Sequence, residues 1–280
     1  GSIGNSRPAG IRIDLNIEDT DEVLLFRGTH STIDADWALK GSLELEGKNF
    51  FGLINKISNE FNKSSPIIPQ IESKYQLTSS VFHTSKLIQF SDINIKTNQI
   101  NTFGSFKYFI DDEPNFETKF TFNQLNLDSV FPNILENQNF VFLKNNWKII
   151  SKELLLNNTG TVKFFANGVS FKERLLGSAE VEIEIADQFF NFTKFNIGLP
   201  GISIIQGNGQ LEINDEFPQF NGQVYASSEN TRELFEWMGA DLNIVPQGRL
   251  NNFEYTGLIR ITPNVLQAYN FNSIIDSTTI

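Results

Sequence analysis

The sequence predicts an all-β protein built on an elongated sheet of repeated units. Three observations support this fold class. Apolar and polar residues alternate with a period of two in many segments, as in strands that bury one face. Turn-forming residues separate these segments. Phe supplies 27 of the 35 aromatic residues, so the chain has much apolar surface to place and few polar-tipped rings.

The alternation predicts strands from the beginning of the chain to its end. The clearest are 11–17, 43–46, 116–122 and 179–185, where apolar residues occupy every second position. Less regular alternation predicts further strands over 87–95, 103–110, 160–171, 189–197, 202–213, 220–226 and 252–261. The strand at 11–17 and the strand at 252–261 are expected to form the edges of the sheet.

A few short helices interrupt the strands. Residues 49–62 place apolar residues on one helical face, and Ser64-Ser65-Pro66 would end that helix. Residues 230–238 form a second candidate, with Asn230 as N-cap, Glu233 in the capping-box position and Gly239 as the stop. A shorter helical turn is predicted over 127–135.

The chain contains an internal repeat, with units at roughly 85–135 and 188–240. Phe90 to Ile95 corresponds to Phe192 to Ile197, and the later matches lie about 104 residues apart. A fainter third copy comprises Trp37, the strand at 43–46 and the helix at 49–62. We expect residues 1–280 to be one continuous fragment of a longer protein, with an irregular stretch at 134–158 and a disordered start at 1–9.

Composition excludes several classes of function. A net charge of −11 argues against nucleic-acid binding and against docking to anionic lipids through a basic patch. The absence of cysteine excludes disulfides, thiolate catalysis and cysteine-bound metals. No apolar run reaches the roughly 20 residues of a transmembrane helix, so no transmembrane segment is expected in this chain.

No motif points to catalysis. The acidic clusters at 19–22 and 111–113 lack the spacing of a calcium loop and are interpreted as solvated turns. His30 and His83 have no Gly-x-Ser-x-Gly nucleophile motif elsewhere in the chain and are interpreted as strand or loop residues. Gly207-Asn208-Gly209 is interpreted as a hairpin turn or bulge. We expect neither an enzyme nor a bound metal or cofactor.

A series of motifs in the second half of the chain resembles the carboxy-terminal part of AsmA-like proteins of proteobacterial envelopes. The series is Leu199-Pro200-Gly201, Gly209-Gln210-Leu211, Pro218-Gln219-Phe220-Asn221-Gly222 and the segment from Leu234 to Gly239. The likeness spans roughly 85–265, with a weaker case for 10–60. Phe235 and Met238 stand where the family pattern has leucine, and the family's amino-terminal membrane helix is missing from this sequence.

The resemblance implies an elongated, curved antiparallel sheet that forms a long, open apolar groove, like that of the bridge-like lipid-transfer proteins. It implies a periplasmic segment whose full-length parent is anchored in the inner membrane of a Gram-negative bacterium. The implied role is phospholipid transport between inner and outer membranes and outer-membrane assembly. The implied partners are phospholipid acyl chains and other envelope proteins. The family has no known catalytic residues.

The alternating strands need a partner for their apolar face. From the residues alone, that partner is either a second sheet in a closed β-sandwich or lipid in an open groove, and the resemblance favours the groove. The candidate lining residues are Phe116, Phe120, Phe122, Val181, Ile183, Ile185, Leu211 and Ile213. The alternative function is a non-transporting β-repeat scaffold or adhesin-like binding module, which the scarcity of Tyr and Trp disfavours.

Overall fold

The fold is almost entirely β-structure, as the sequence predicts. The computed structural model describes residues 8–17, 22–33, 36–50, 52, 73–110, 115–130, 159–186, 189–213, 218–262 and 265–279. In these ranges, seventeen strands belong to a single open sheet, antiparallel apart from one short parallel pairing. The prediction of an open antiparallel sheet is therefore confirmed. A closed sandwich, which needs two sheets, is not what the described strands form.

The strands divide into two compact units. The first unit contains β1 (Ala9–Ile17), β2 (Glu22–Ile33), β3 (Asp36–Gly47), β4 (Tyr75–Thr84), β5 (Leu87–Thr97), β6 (Ile100–Phe109) and most of β7 (Asn115–Asn126). The first residues of the eighth strand, up to Thr161, also belong to this unit. From β1 to β6, each strand pairs antiparallel with the next one in the chain, including β3 and β4, which residues 48–74 separate.

The second unit begins at Leu125 and contains the remaining strands. They are β8 (Thr159–Ala166), β9 (Val169–Phe171), β10 (Arg174–Leu176), β11 (Ala179–Ala186), β12 (Phe189–Leu199), β13 (Ser203–Ile213), β14 (Pro218–Ser228), β15 (Phe253–Thr262), β16 (Val265–Ile275) and β17 (Thr278–Thr279). From β11 to β17, consecutive strands again pair antiparallel.

Two strand predictions need correction. The segment 160–171 is two strands rather than one, because Asn167 and Gly168 break the strand between β8 and β9. The strand at 252–261 is not an edge, since β15 pairs with β14 on one side and with β16 on the other. Apolar and polar residues do not alternate regularly in β16, where Gln, Asn and Ala interrupt the apolar positions.

Two short helices are described, α1 (Leu127–Val130) and α2 (Thr231–Trp237). The capping prediction for α2 is confirmed: the Asn230 side chain accepts a hydrogen bond from the Glu233 backbone N–H. The Asn230 amide also donates to the Glu233 carboxylate at 3.1 Å. Gly239 follows the last turn with φ of +91°, a backbone conformation that favours glycine.

The two predicted repeat segments contain the same order of elements. In the first, β5, β6 and β7 precede α1, and in the second, β12, β13 and β14 precede α2. A β-bulge occurs at the same place in both. The register with the next strand shifts between Phe90 and Ile93 in β5, and between Phe192 and Phe195 in β12.

Some predictions concern residues that lie outside the described part of the structure. Apart from residues 49, 50 and 52, the helix predicted over 49–62 lies outside the described residues. The irregular stretch 134–158, the turn at 111–113 and residues 1–7 of the predicted disordered start lie outside them as well. Ala9, the last residue of that predicted start, begins β1.

Candidate functional site

The second unit has one side of its sheet lined by apolar residues. Directly paired residues of antiparallel strands point to the same side, so the registers identify the members of that side. Val181 pairs with Phe195, Phe195 pairs with Gly207, and Gly207 pairs with Val224. We call this side the apolar face of the second unit. Its larger members are Val181, Ile183, Ile185, Phe190, Phe192, Phe195, Ile197, Ile205, Leu211, Phe220, Val224, Ile259 and Ile261.

The opposite side of the same strands carries charged and amide side chains. Lys194 Nζ lies 2.7 Å from the Glu180 carboxylate, and the Lys163 amine lies 2.9 Å from the Glu182 carboxylate. The hydrogen bond from Lys194 to Glu180 raises the pKa of that lysine. Because these pairs are largely exposed, each adds little stability, but together they mark the side of the sheet that faces water.

The first unit has an apolar face of the same kind. Leu24 pairs with Leu45, Leu45 pairs with Leu77, and Leu77 pairs with Ile95. At β6 and β7 the Phe106 ring stacks on Phe116 at 6.5 Å between centroids, and Phe120 packs against Phe122 at 6.4 Å. The larger members of the apolar face of the first unit are Ile11, Ile13, Leu15, Leu24, Phe26, Leu39, Leu43, Leu45, Leu77, Val81, Ile88, Phe90, Ile93, Ile95, Phe106, Phe116, Phe120 and Phe122.

Charged side chains are almost absent from both faces. Among the described strand residues of the second unit, the registers place no Lys, Arg, Asp or Glu on the apolar face. On the described apolar face of the first unit, Glu22 is the one carboxylate, and no Lys or Arg occupies that face. This segregation of charge is the pattern of an antiparallel sheet with one face turned away from water.

Glu22 lies at one end of the first unit's apolar face and corrects a prediction. The sequence places it in a solvated acidic turn, but its residue is only 3% exposed. A Cβ atom added to Gly47 would lie 2.9 Å from Cγ of Glu22, Gly47 pairs with Tyr75, and Phe50 packs on the Tyr75 ring at 5.3 Å. Burial, followed by the charge of Glu22, raises the pKa of the Tyr75 phenol. This end of the face is therefore filled by packed side chains.

Glycine and phenylalanine pack together across neighbouring strands. A Cβ atom added to Gly209 would lie 2.6 Å from Cζ of Phe220, and one added to Gly41 would lie 2.7 Å from Cζ of Phe26. The same relation joins Gly104 to the Phe120 ring. Because glycine leaves no side chain on the face, the ring of the neighbouring residue lies over its backbone. This packing gives a physical reason for the high Phe content.

The apolar faces are only partly shielded from water. Phe190 and Val224 are buried by their neighbours, whereas most other members of the second unit's face are half-buried. Exposure increases at the last long strand, where Leu266 is 71% and Phe271 is 44% exposed. A face of this kind retains apolar surface that a ligand or partner can still cover.

The predicted lining residues lie on these faces. Phe116, Phe120 and Phe122 belong to the apolar face of the first unit. Val181, Ile183, Ile185 and Leu211 belong to the apolar face of the second unit. Ile213 pairs with Pro218 at the end of β13, and its side chain lies outside the described part of the structure.

Sequence reasoning missed much of both faces. Phe190, Phe192 and Phe195 are not evenly spaced by two, because the bulge in β12 adds a residue between Phe192 and Phe195. Leu77 and Val81 lie in β4, whose run of Ser and Thr hides the alternation. The repeat offered a signal for β12, since its bulge matches the bulge of β5.

Within the described residues, no group of three or more His, Asp or Glu residues could hold a metal ion. His30 and His83 lie in β2 and β4, with Leu39 of β3 between them. None of the described helices is long and apolar enough to cross a membrane. The chemistry that the two apolar faces offer is contact with apolar groups.

Comparison with known proteins does not identify the chain. No family model, curated protein or solved structure matches it. The family resemblance consequently depends on the sequence motifs described above, and the geometry of the two apolar faces stands independently of it.

Proposed function

We propose that this chain is a periplasmic segment of an AsmA-like envelope protein and that its apolar faces bind the acyl chains of phospholipids. In this proposal the parent protein is anchored in the inner membrane of a Gram-negative bacterium. It supports phospholipid transport between the inner and outer membranes and outer-membrane assembly. The assignment of family and compartment rests on the motif resemblance, and the ligand class rests on the two faces.

The observation that carries the proposal is the segregation of charge. Each unit offers half-buried Phe, Ile, Leu and Val on one side and ion pairs on the other. Transfer of one acyl CH₂ group from an apolar site to water costs about 0.8 kcal/mol, so a two-chain lipid without cover faces a cost on the order of 20 kcal/mol. A face of this composition removes much of that cost.

The same composition suits movement along the sheet. Apolar contacts are non-directional, and a face without charged groups offers no deep electrostatic trap. A lipid on the second unit's face would exchange one set of Phe and Ile contacts for a similar set as it moves from strand to strand. The proposal therefore includes sliding of the acyl chains across consecutive strands. It does not include chemistry on the lipid.

A matched pair of charge variants tests the proposal. Leu211 and Gln210 are neighbours in β13 and lie on opposite faces of the sheet. Leu211→Asp places a carboxylate on the apolar face, where burial of an unpaired charge is strongly unfavourable. Gln210→Asp places the same group on the exposed polar side.

We expect Leu211→Asp to lower binding of fluorescently labelled phosphatidylethanolamine about tenfold or more, while Gln210→Asp binds like the wild type. Circular dichroism checks that both variants keep their β-structure. Equal binding by both variants contradicts the proposal. So does the unfolding of Leu211→Asp together with an absence of lipid binding by the wild type, because Leu211 is then an ordinary core residue.

A further inference from the structure

The sheet brings the chain's two histidines into one row on the apolar face of the first unit. His30 pairs with Leu39 in β3, and Leu39 pairs with His83 in β4. His83 pairs with Ile88, and Ile88 pairs with Tyr108 in β6. We call this line, from His30 to Tyr108, the histidine row. The two histidines are 53 positions apart in the sequence and share a row only because β2, β3 and β4 follow one another in the sheet.

Trp37 adds another hydrogen-bonding side chain at this end of the face. Trp37 precedes Leu39 by two residues on β3, and its ring contacts His83 edge to face with 4.6 Å between centroids. Trp37 and His30 are exposed, and His83 and Tyr108 are half-buried. Trp, Tyr and His combine an apolar body with a hydrogen-bonding tip, which suits a boundary between apolar surface and water.

The opposite end of the same face is different. There the buried residues Glu22 and Tyr75 lie against Gly47 in a second row, and Phe50 packs on the Tyr75 ring. From Glu22 to His30 the strand β2 rises about 27 Å, at about 3.4 Å per residue. An acyl chain in one leaflet of a bilayer spans about 15 Å, half of the hydrocarbon core. The strip between the two rows is therefore long enough to hold an acyl chain parallel to the strands.

We infer that the histidine row binds the phosphate of a phospholipid headgroup whose acyl chains extend along the strands toward Tyr75. This inference rests on the proposed function, because it assigns the polar end of the lipid that the apolar face holds. His30 and His83 lie two strands apart, at about 10 Å, so one phosphate between them can accept hydrogen bonds from both imidazole N–H groups and from the indole N–H of Trp37. Tyr108 lies two strands beyond His83, too far to donate to the same phosphate.

The charged groups near this end are compatible with an anion. The Asp36 carboxylate is engaged in the adjoining turn, where it accepts hydrogen bonds from Ser85 Oγ at 2.6 Å and from the Trp37 backbone N–H at 2.8 Å. Lys86 belongs to the same turn and contributes to lowering the pKa of Asp36. The buried carboxylate of the face, Glu22, lies at the far end, where an anionic headgroup would be repelled.

Fluorescence quenching tests the orientation of the lipid. In a variant with Trp147→Phe and Trp237→Phe, Trp37 is the sole tryptophan. The probes are two samples of phosphatidylglycerol, brominated either near the carbonyl end or near the methyl end of the acyl chains. We expect the first probe to quench Trp37 at least twice as strongly as the second. Equal quenching, or stronger quenching by the second probe, overturns the inference even though the lipid binds.

A second arm tests the role of phosphate. We expect the wild type to bind dioleoylphosphatidylglycerol about five- to tenfold more tightly than dioleoylglycerol, which lacks phosphate. The double variant His30→Gln, His83→Gln should lose most of this preference while retaining its affinity for dioleoylglycerol. The matched control is Thr29→Gln, next to His30 on the opposite face, which should keep the preference.

The remaining outcomes separate the two proposals. Absence of quenching by either brominated lipid, with no binding of either dioleoyl compound, removes the proposed function and this inference with it. Binding of both compounds with equal affinity by the wild type removes the inference alone. Displacement of phosphatidylglycerol by millimolar inorganic phosphate also overturns it, because the row is then a site for free phosphate and not for a headgroup.

Discussion

At the scale of single residues, the most informative feature is the pairing of glycine with a neighbouring aromatic ring. The Gly209 position is enclosed by the Phe220 ring at 2.6 Å and by Gly222 Cα at 2.7 Å, measured from a Cβ atom placed on Gly209. We expect Gly209→Ala to lower the free energy of unfolding by about 1–3 kcal/mol, because the added methyl group has no room. Urea denaturation measures the change.

Gly10 provides the control for this prediction. It lies in β1, and a Cβ atom placed there would meet nothing within 4 Å. Gly10→Ala should therefore leave stability unchanged or raise it by about 0.5 kcal/mol through reduced freedom of the unfolded chain. Equal destabilisation by both variants would contradict the account of Phe and Gly packing.

Tyr75 gives a prediction about pH. Burial and Glu22 raise the pKa of its phenol above the value in an unfolded chain, which is about 10. The unfolded state therefore loses this proton first as the pH rises, and the folded state loses stability above pH of about 10. Below that pH the contribution of the phenol is fully present.

The measurement is the difference in unfolding free energy between the wild type and Tyr75→Phe. Between pH of about 10 and 11, the wild type should lose up to about 1.4 kcal/mol of unfolding free energy per pH unit relative to Tyr75→Phe. Tyr225→Phe, which alters a half-exposed ring of the second unit, is the comparison variant. A pH-independent difference for Tyr75→Phe would show that the buried phenol does not couple to folding.

At the scale of secondary-structure elements, α2 shows which local signals were readable in the sequence. Asn230, Glu233 and Gly239 occupy the cap and stop positions that their side chains and backbone preferences predict. These signals depend on residues close to each helix end, so they can be recognised in the sequence without knowledge of the tertiary structure. The bulges in β5 and β12 depend on pairing with another strand, which local alternation cannot reveal.

The cap of α2 can be tested directly. Asn230→Ala removes the side chain that accepts the Glu233 N–H hydrogen bond at 3.3 Å. We expect a loss of about 1 kcal/mol in unfolding free energy, measured by urea denaturation. Asn208→Ala, which changes an exposed residue in the middle of β13, is the control and should have a smaller effect. If both variants lose the same stability, the Asn230 side chain is not acting as a cap.

The predicted edge of the sheet at 252–261 shows another limit of prediction from sequence. The edge prediction for 252–261 failed because β16 contains no charged residue and lacks regular alternation, so its pairing with β15 had no local signature. Along Val265–Asn272 every side chain is exposed, although the backbone pairs with β15. The side chains of this segment are therefore as exposed as those of a loop, and only the backbone pairing identifies it as a strand.

At the scale of the whole molecule, the fold class was predictable because the period-two pattern recurs in so many segments. The choice between an open sheet and a closed sandwich was not, since both place the same residues on an apolar side. The positions of Phe116, Val181 and Leu211 on the apolar faces were predictable from alternation. The histidine row was not, because it depends on strand order and register across β2–β6.

The central claim is that the described apolar faces hold phospholipid, and direct extraction tests it. The chain is expressed in a Gram-negative host, purified without detergent and extracted with organic solvent, and the extract is quantified by mass spectrometry. The account predicts phospholipid in at least equimolar amount to the protein, and a clear reduction in Leu211→Asp but not in Gln210→Asp. Phospholipid no higher than in an unrelated protein purified in parallel would contradict it.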